Sequence, residues 1–88
     1  MNKNICLITG VGPGTGSALV RRFSQKYRVA MLARTQDRLT NLENELEGVK
    51  GYVCDVSDSQ ALEATLDLVK RELGAPSVLV HNAVGGAF

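Results

Sequence analysis

A glycine-rich segment near the start of the chain has the composition of a turn that binds phosphate. Glycine stands at every second position from 10 to 16, namely Gly10, Gly12, Gly14 and Gly16. Without a Cβ atom, glycine permits positive φ angles and lets an anion approach main-chain N–H groups closely. An apolar run at 5–9 precedes the glycines and an amphipathic segment follows them, so the turn should lead into a helix whose N-terminus attracts anions. The sequence therefore predicts a nucleotide-type cofactor at this turn.

Single positions in the turn can be given separate tasks. We expect Gly10 to allow a tight turn, Gly14 to allow close approach of a phosphate, and Gly16 to allow the helix to pack on the strand. Thr15 can contact phosphate through its main-chain N–H. Pro13 lacks an N–H group, so it removes one donor and stiffens the turn.

The hydrophobic pattern along the chain predicts strands and helices in strict alternation. Ser57 and Gln60 have capping-box spacing at the start of the third helix. Strands are expected at 5–9, 28–33, 51–54 and 77–82, and helices at 15–26, 36–46 and about 57–73. This alternation implies parallel pairing through right-handed crossovers. The predicted fold class is α/β, a Rossmann-like doubly wound parallel sheet that is partial and has strand order 3-2-1-4.

The fourth strand suggests that the domain continues. In a complete doubly wound sheet of six strands the fourth strand is interior, whereas here its apolar edge would be exposed. The sequence has no internal repeat, low-complexity segment or linker. We therefore expect residues 1–88 to be the N-terminal part of one Rossmann-like domain, truncated here after strand four and belonging to a longer polypeptide.

Composition excludes several classes of partner. The chain has 88 residues, of which 44% are hydrophobic and 22% charged, and a formal net charge of +1. This balance gives no electrostatic case for nucleic acid or an anionic membrane surface. No apolar run approaches the roughly 20 residues of a membrane helix, and no segment before the first strand could serve as a signal peptide. The expected location is the cytoplasm.

The two cysteines are expected to be buried thiols. Cys6 and Cys54 fall in predicted strands that a third strand separates by about 10 Å, which is too far for a disulfide. No Cys/His spacing suggests a metal site.

The spacing of the glycines identifies a family. The dinucleotide fingerprint G-x-G-x-x-G fits poorly, whereas T-G-x-x-x-G-x-G fits Thr9, Gly10, Gly14 and Gly16. This pattern resembles the short-chain dehydrogenase/reductase family. Three further features follow in the order of that family, over essentially the whole chain: Ala33-Arg34 at the end of strand two, Asp55-Val56 after strand three, and Asn82-Ala83 at the end of strand four.

The resemblance implies a nicotinamide dinucleotide, and Arg34 favours NADP(H) over NAD(H). A carboxylate at the end of strand two would bind a ribose hydroxyl and repel a 2′-phosphate, whereas a guanidinium matches phosphate. Arg38, one helical turn later, could add a second contact. Asp37 is expected in the first turn of the second helix, where the helix dipole favours an anion.

The same resemblance assigns the residues after strands three and four. Asp55 resembles the family carboxylate that meets the adenine amino group, with the backbone of Val56 beside it. Alternatively, Asp55 forms a turn or cap before Ser57. Asn82 resembles the family asparagine that steadies strand four and borders the cofactor, and Ala83 would pass close to the ribose.

Catalytic residues cannot be assigned in this sequence. The family uses a Ser and a Tyr-x-x-x-Lys motif, but Tyr27 and Tyr52 are not followed by lysine four residues later. His81 replaces a family asparagine, and we expect it to make structural hydrogen bonds rather than to serve as a ligand or proton relay. The resemblance implies a full-length oxidoreductase that interconverts a small-molecule carbonyl and an alcohol and forms a homo-oligomer, with the 88 residues alone inactive.

Two other functions stay open at this point. The segment Gly12–Gly16 also resembles the S-adenosylmethionine loop of Rossmann-like methyltransferases. That family usually has acidic residues before the first glycine and at the end of strand two, where this chain has Ile8 or Gly10 and Arg34. The second alternative is a truncated paralogue that binds nucleotide or a partner without turnover.

Overall fold

Four strands and three helices alternate along the described part of the chain. The computed structural model describes residues 4–11 and 14–82. The elements are β1 (Ile5–Thr9), α1 (Thr15–Phe23), β2 (Arg28–Ala33), α2 (Gln36–Glu45), β3 (Val49–Val53), α3 (Ser59–Glu72) and β4 (Val78–His81).

The strands form one sheet in the order β3-β2-β1-β4, and every neighbouring pair is parallel. Leu7 of β1 lies opposite Ala30 of β2 on one side and Leu79 of β4 on the other. The predicted Rossmann-like fold class and strand order are therefore confirmed. Leu79 is 64% exposed, as expected for an apolar residue on an edge strand.

Each face of the sheet carries its own core. Side chains of α1 and α2, including Val20 and Leu39, pack with Cys6, Ile8 and Met31 on one face. On the opposite face, α3 contributes Val69 to a second cluster, whose buried members are Leu7, Ala30, Leu32, Tyr52, Cys54 and Val69. Both cysteines are buried and free, as predicted, and they belong to opposite faces of the sheet.

Several element boundaries differ from the sequence prediction, most of them by one or two residues. Helix α1 ends at Phe23 instead of residue 26, because the next residues form tighter turns in which Lys26 N–H donates to the Phe23 carbonyl. Strand β3 begins at Val49, where it pairs with Val29, two residues before the predicted start. The predicted strand residue Cys54 lies just beyond β3.

The predicted capping box at Ser57 is wrong. Helix α3 begins at Ser59, and its N-cap is Asp58, whose carboxylate accepts the N–H of Ala61 at 3.1 Å. A carboxylate both accepts this bond and complements the helix dipole, so Asp58 is the stronger cap. The Ser57 hydroxyl donates instead to Asp55.

A polar cluster joins β3 to the end of α3. Glu72 Oε1 accepts the Tyr52 hydroxyl at 2.9 Å and lies 2.8 Å from Lys50 Nζ. Burial of the Tyr52 ring, with the hydrogen bond to the Glu72 carboxylate, raises the pKa of Tyr52 well above its ordinary value. The neutral phenol is therefore the form that the fold stabilises.

Raising the pH should destabilise the protein through Tyr52. Because the pKa of Tyr52 is higher in the folded chain, its neutral phenol contributes fully to the free energy of unfolding below the unfolded pKa of about 10. This contribution decreases as the pH rises above that value. We expect Tyr52→Phe to cost about 1 kcal/mol at pH 7, for the lost hydrogen bond, and the difference from the native protein to shrink above pH 10. Urea unfolding at a series of pH values measures this difference. Tyr27→Phe is the matched control, and an equal alkaline response in both variants would contradict the assignment.

Candidate functional site

The residues predicted to bind the cofactor follow the carboxyl ends of the four strands. Gly10 follows β1, Arg34 follows β2, Asp55 lies two residues after β3, and Asn82 follows β4. Since the strands are parallel, these ends meet at one edge of the sheet. In open α/β sheets this edge is where ligands bind.

The glycine turn uses backbone conformations that favour glycine. Gly10 has a φ of 65° and Gly14 a φ of 77°. Among the described residues beyond its chain neighbours, no atom lies within 4 Å of a Cβ atom added at Gly14. The requirement at Gly14 is therefore conformational, and the space beside it is open, as expected for a position that an anion approaches.

The N-terminus of α1 can accept an anion. Gly14 is its N-cap and offers no side chain for a capping hydrogen bond, and the first turn contains no acidic residue. Thr15, the first residue of the helix, is exposed. In contrast, α3 is capped by the Asp58 carboxylate. The positive end of the α1 dipole thus meets no protein carboxylate from its own cap or first turn.

Gly16 is where α1 packs against the turn. A Cβ atom at this position would lie 3.0 Å from the Gly10 carbonyl oxygen, 3.0 Å from Val11 Cα and 3.2 Å from Asn82 Nδ2. Two of these three atoms are backbone and cannot move aside cheaply. This geometry agrees with the packing role that the sequence predicts for Gly16.

Two hydrogen bonds hold the turn from opposite sides. Asn82 Nδ2 donates to the Gly10 carbonyl at 3.1 Å, and Val11 N–H donates to the Leu32 carbonyl at 3.0 Å. Asn82 thus links β4 to the turn, which fits its predicted steadying role. The anchoring by Val11 was not predicted, although a single apolar residue between glycines is a signal for burial, and Val11 is buried.

His81 makes a structural hydrogen bond, as expected. Its Nδ1 lies 2.6 Å from Oγ1 of the buried Thr9, directly across the β1–β4 pair. The bond adds a side-chain link between the two strands that carry the turn and Asn82.

Arg34 is exposed at the end of β2, where its guanidinium is accessible to a ligand. Arg38 lies within α2 and is half-buried, while Asp37 lies in the first turn of α2, as predicted. Asp37, the nearby carboxylate that could otherwise bind a ribose hydroxyl, therefore belongs to the first turn of α2. Arg34 is the charged residue at the end of β2.

Asp55 takes part in a local turn and also lies at the carboxyl edge of the sheet. Its Oδ1 accepts the Ser57 N–H at 3.0 Å and the Ser57 hydroxyl at 2.7 Å, so the turn predicted as the alternative role of Asp55 is present. These bonds, with a smaller contribution from the positive charge of Arg34, hold the pKa of Asp55 below its ordinary value. Asp55 is accordingly a carboxylate at neutral pH. Val56 is half-buried and packs against the cluster on the α3 face.

Ala83, the last residue predicted to border the cofactor, lies outside the described residues. Tyr52 belongs to the cluster with Lys50 and Glu72, and the Tyr27 ring packs 5.9 Å from the ring of Phe23.

Residues 4–11 and 14–82 contain no group of three or more His, Cys, Asp or Glu side chains that could hold a metal ion. In the same residues, no helix has the length and apolar character needed to cross a membrane.

The sheet, the crossovers and the glycine turn define a Rossmann-like α/β protein. Residues 4–87 match the family model described as short chain dehydrogenase. The chain is 32% identical over 87 residues to an uncharacterized oxidoreductase of Mycobacterium bovis. The alignment covers 90% of this chain and 26% of that protein. It is also 32% identical over 81 residues to the NADPH-dependent pterin aldehyde reductase of Arabidopsis thaliana, covering 88% of this chain and 34% of that one.

A solved structure agrees with the sequence relatives. A variant of actinorhodin polyketide ketoreductase with NADPH superposes with a TM-score of 0.88 at 30% identity, over 97% of this chain and 36% of that one. The chain therefore belongs to the short-chain dehydrogenase family of oxidoreductases, and it spans about a third of the length of the relatives it matches. This membership in a family of oxidoreductases argues against the methyltransferase alternative.

Proposed function

We propose that residues 1–88 form the NADP(H)-binding part of an oxidoreductase that interconverts a small-molecule carbonyl and an alcohol. The observation that carries the proposal is the described part of the glycine turn, in which Gly10 and Gly14 have positive φ angles and the N-terminus of α1 has a glycine N-cap without a capping side chain. Bound NADPH would supply the hydride that the reaction transfers. In this proposal, the complete protein is a homo-oligomer and carries its catalytic Ser, Tyr and Lys outside this chain.

In this proposal, different residues at the carboxyl edge of the sheet bind different parts of NADP(H). Main-chain N–H groups at Thr15 and Gly16 would bind the diphosphate, and Gly14 leaves room for it to approach. Arg34 would bind the 2′-phosphate through its fork of donors. Asp55 and the backbone of Val56 would contact the adenine, and Asn82 and Ala83 would border the ribose.

NADPH-dependent relatives support the choice of dinucleotide. The Arabidopsis reductase is named as NADPH-dependent, and the ketoreductase structure contains NADPH. In this chain, the exposed Arg34 at the end of β2 supports the same preference.

Fluorescence titration tests the proposal directly. The reduced nicotinamide ring fluoresces when it is excited directly, so the binding of NADPH and NADH can be followed by the emission of the cofactor itself. We expect the full-length protein to bind NADPH more tightly than NADH and to give no heat with S-adenosylmethionine in calorimetry. Binding of S-adenosylmethionine without either dinucleotide would overturn the proposal. Turnover of carbonyl compounds with NADPH would separate an enzyme from a paralogue that only binds.

A further inference from the structure

Ser57 makes two hydrogen bonds to a single oxygen of Asp55. Its N–H and its hydroxyl both donate to Oδ1, at 3.0 and 2.7 Å. Among the described residues, no donor contacts Oδ2. Two donors on one oxygen restrict rotation about both side-chain torsions of Asp55, so the second oxygen has a fixed position as well.

The Ser57 hydroxyl is not needed to form the connection between β3 and α3. The Asp58 N–H donates to the Asp55 carbonyl at 3.0 Å and closes the turn through the backbone. The Asp58 carboxylate caps α3 by accepting the Ala61 N–H. Turn closure and helix capping are therefore complete without the hydroxyl, whose remaining effect is on the Asp55 carboxylate.

The carboxylate that Ser57 holds lies in the candidate site. Asp55 is exposed at the carboxyl edge of the sheet, and the charge of Arg34 reaches it. It is ionised at neutral pH, so its oxygens accept hydrogen bonds and donate none. A ligand group that contacts Oδ2 must therefore be a donor.

We propose that Ser57 is a positioning residue, which holds Asp55 so that Oδ2 accepts the 6-amino group of a purine. This inference rests on the proposed function, because the purine is the adenine of NADP(H). The 6-amino group of adenine is a donor, whereas the 6-oxo group of hypoxanthine is an acceptor and would face a carboxylate of like polarity. The site thus binds adenine dinucleotides more tightly than hypoxanthine dinucleotides, and the Ser57 hydroxyl increases the difference in affinity.

The ratio of two dissociation constants measures this selection. NADPH and its hypoxanthine analogue share the diphosphate, the 2′-phosphate and the nicotinamide, so their ratio reports contacts to the base. We expect the full-length protein to bind NADPH roughly tenfold or more tightly than the hypoxanthine analogue, because one hydrogen bond to a charged group contributes a free energy of that size. Ser57→Ala should reduce the preference to about threefold while Ser57→Thr, which keeps the hydroxyl, retains it.

Two further variants separate positioning from stability. Asp55→Asn should abolish the preference, because an amide presents a donor as well as an acceptor. Asp58→Ala removes the cap of α3 and should lower stability while leaving the preference unchanged. A merely structural role for Ser57 would make Ser57→Ala behave like Asp58→Ala.

The outcomes test the positioning role of Ser57 separately from NADP(H) binding itself. Equal binding of both dinucleotides by the native protein, or an unchanged preference in Ser57→Ala, would overturn the positioning role and leave NADP(H) binding intact. Failure of both dinucleotides to bind would overturn the proposed function, and the inference with it. A preference that falls in Ser57→Ala and persists in Ser57→Thr and Asp58→Ala is the expected result.

Discussion

Replacing Gly16 with valine should weaken NADPH binding by about 30-fold or more and lower stability by about 2 kcal/mol, the usual scale of overpacking. The added Cβ would lie 3.0 Å from the Gly10 carbonyl oxygen and from Val11 Cα. To relieve these contacts, α1 must move away from the turn. That movement also disturbs the Asn82–Gly10 hydrogen bond, so the N–H groups at the start of α1 lose their fixed positions. Fluorescence titration and urea unfolding measure the two effects.

A second glycine provides the control for Gly16. Gly48 also has a positive φ, of 74°, with no atom within 4 Å of an added Cβ, but it lies in the connection between α2 and β3. Gly48→Ala should cost about 1 kcal/mol of stability through backbone strain and leave NADPH binding unchanged. Equal losses of NADPH affinity in the two variants would mean that the effect at Gly16 is general destabilisation.

Arg34→Ala should weaken NADPH binding by roughly 10- to 100-fold, because hydrogen bonds to charged groups are worth about 1.5–3 kcal/mol. The affinity for NADH should change little, since that cofactor has no 2′-phosphate. Arg34→Asp should go further and reverse the preference, because a carboxylate repels the phosphate and accepts bonds from the ribose hydroxyls. Titrations of both cofactors against each variant give the ratio directly.

The same strand offers a control for the change in charge. Arg28 is also exposed, but it begins β2, roughly 20 Å from Arg34 at the spacing of strand residues. Arg28→Ala removes the same charge and should leave the NADPH-to-NADH ratio unaltered. If Arg34→Ala also leaves the ratio unaltered, Arg34 does not select the cofactor.

Strand positions and sheet order were predictable from the sequence because buried parallel strands are short apolar runs between turn signals. Strands β1 and β2 have the predicted bounds, Ile5–Thr9 and Arg28–Ala33. Helix ends were less predictable. Residues 24–26 are polar and compatible with one more helical turn, but hydrogen bonds of a tighter turn end α1 at Phe23, and periodicity does not report that competition.

The candidate site was predictable where a residue type has few alternatives. Glycines with positive φ and an arginine after a strand carry their own signals, and the structure brings Gly10, Arg34, Asp55 and Asn82 to one edge. The pairing of Asp55 with Ser57 was weighed only as an alternative role, and Asp58 was missed as the helix cap. With carboxylates at 55 and 58 and a hydroxyl between them, local sequence does not fix which group caps the helix, because each can bond to several nearby N–H groups.

A crystal structure of the full-length protein with NADPH tests the central claim most directly. The account predicts the diphosphate against the N–H groups of Thr15 and Gly16, with the 2′-phosphate within hydrogen-bonding distance of the Arg34 guanidinium. A dinucleotide bound away from the carboxyl edge of the sheet, or a diphosphate that makes no contact with the start of α1, would contradict it.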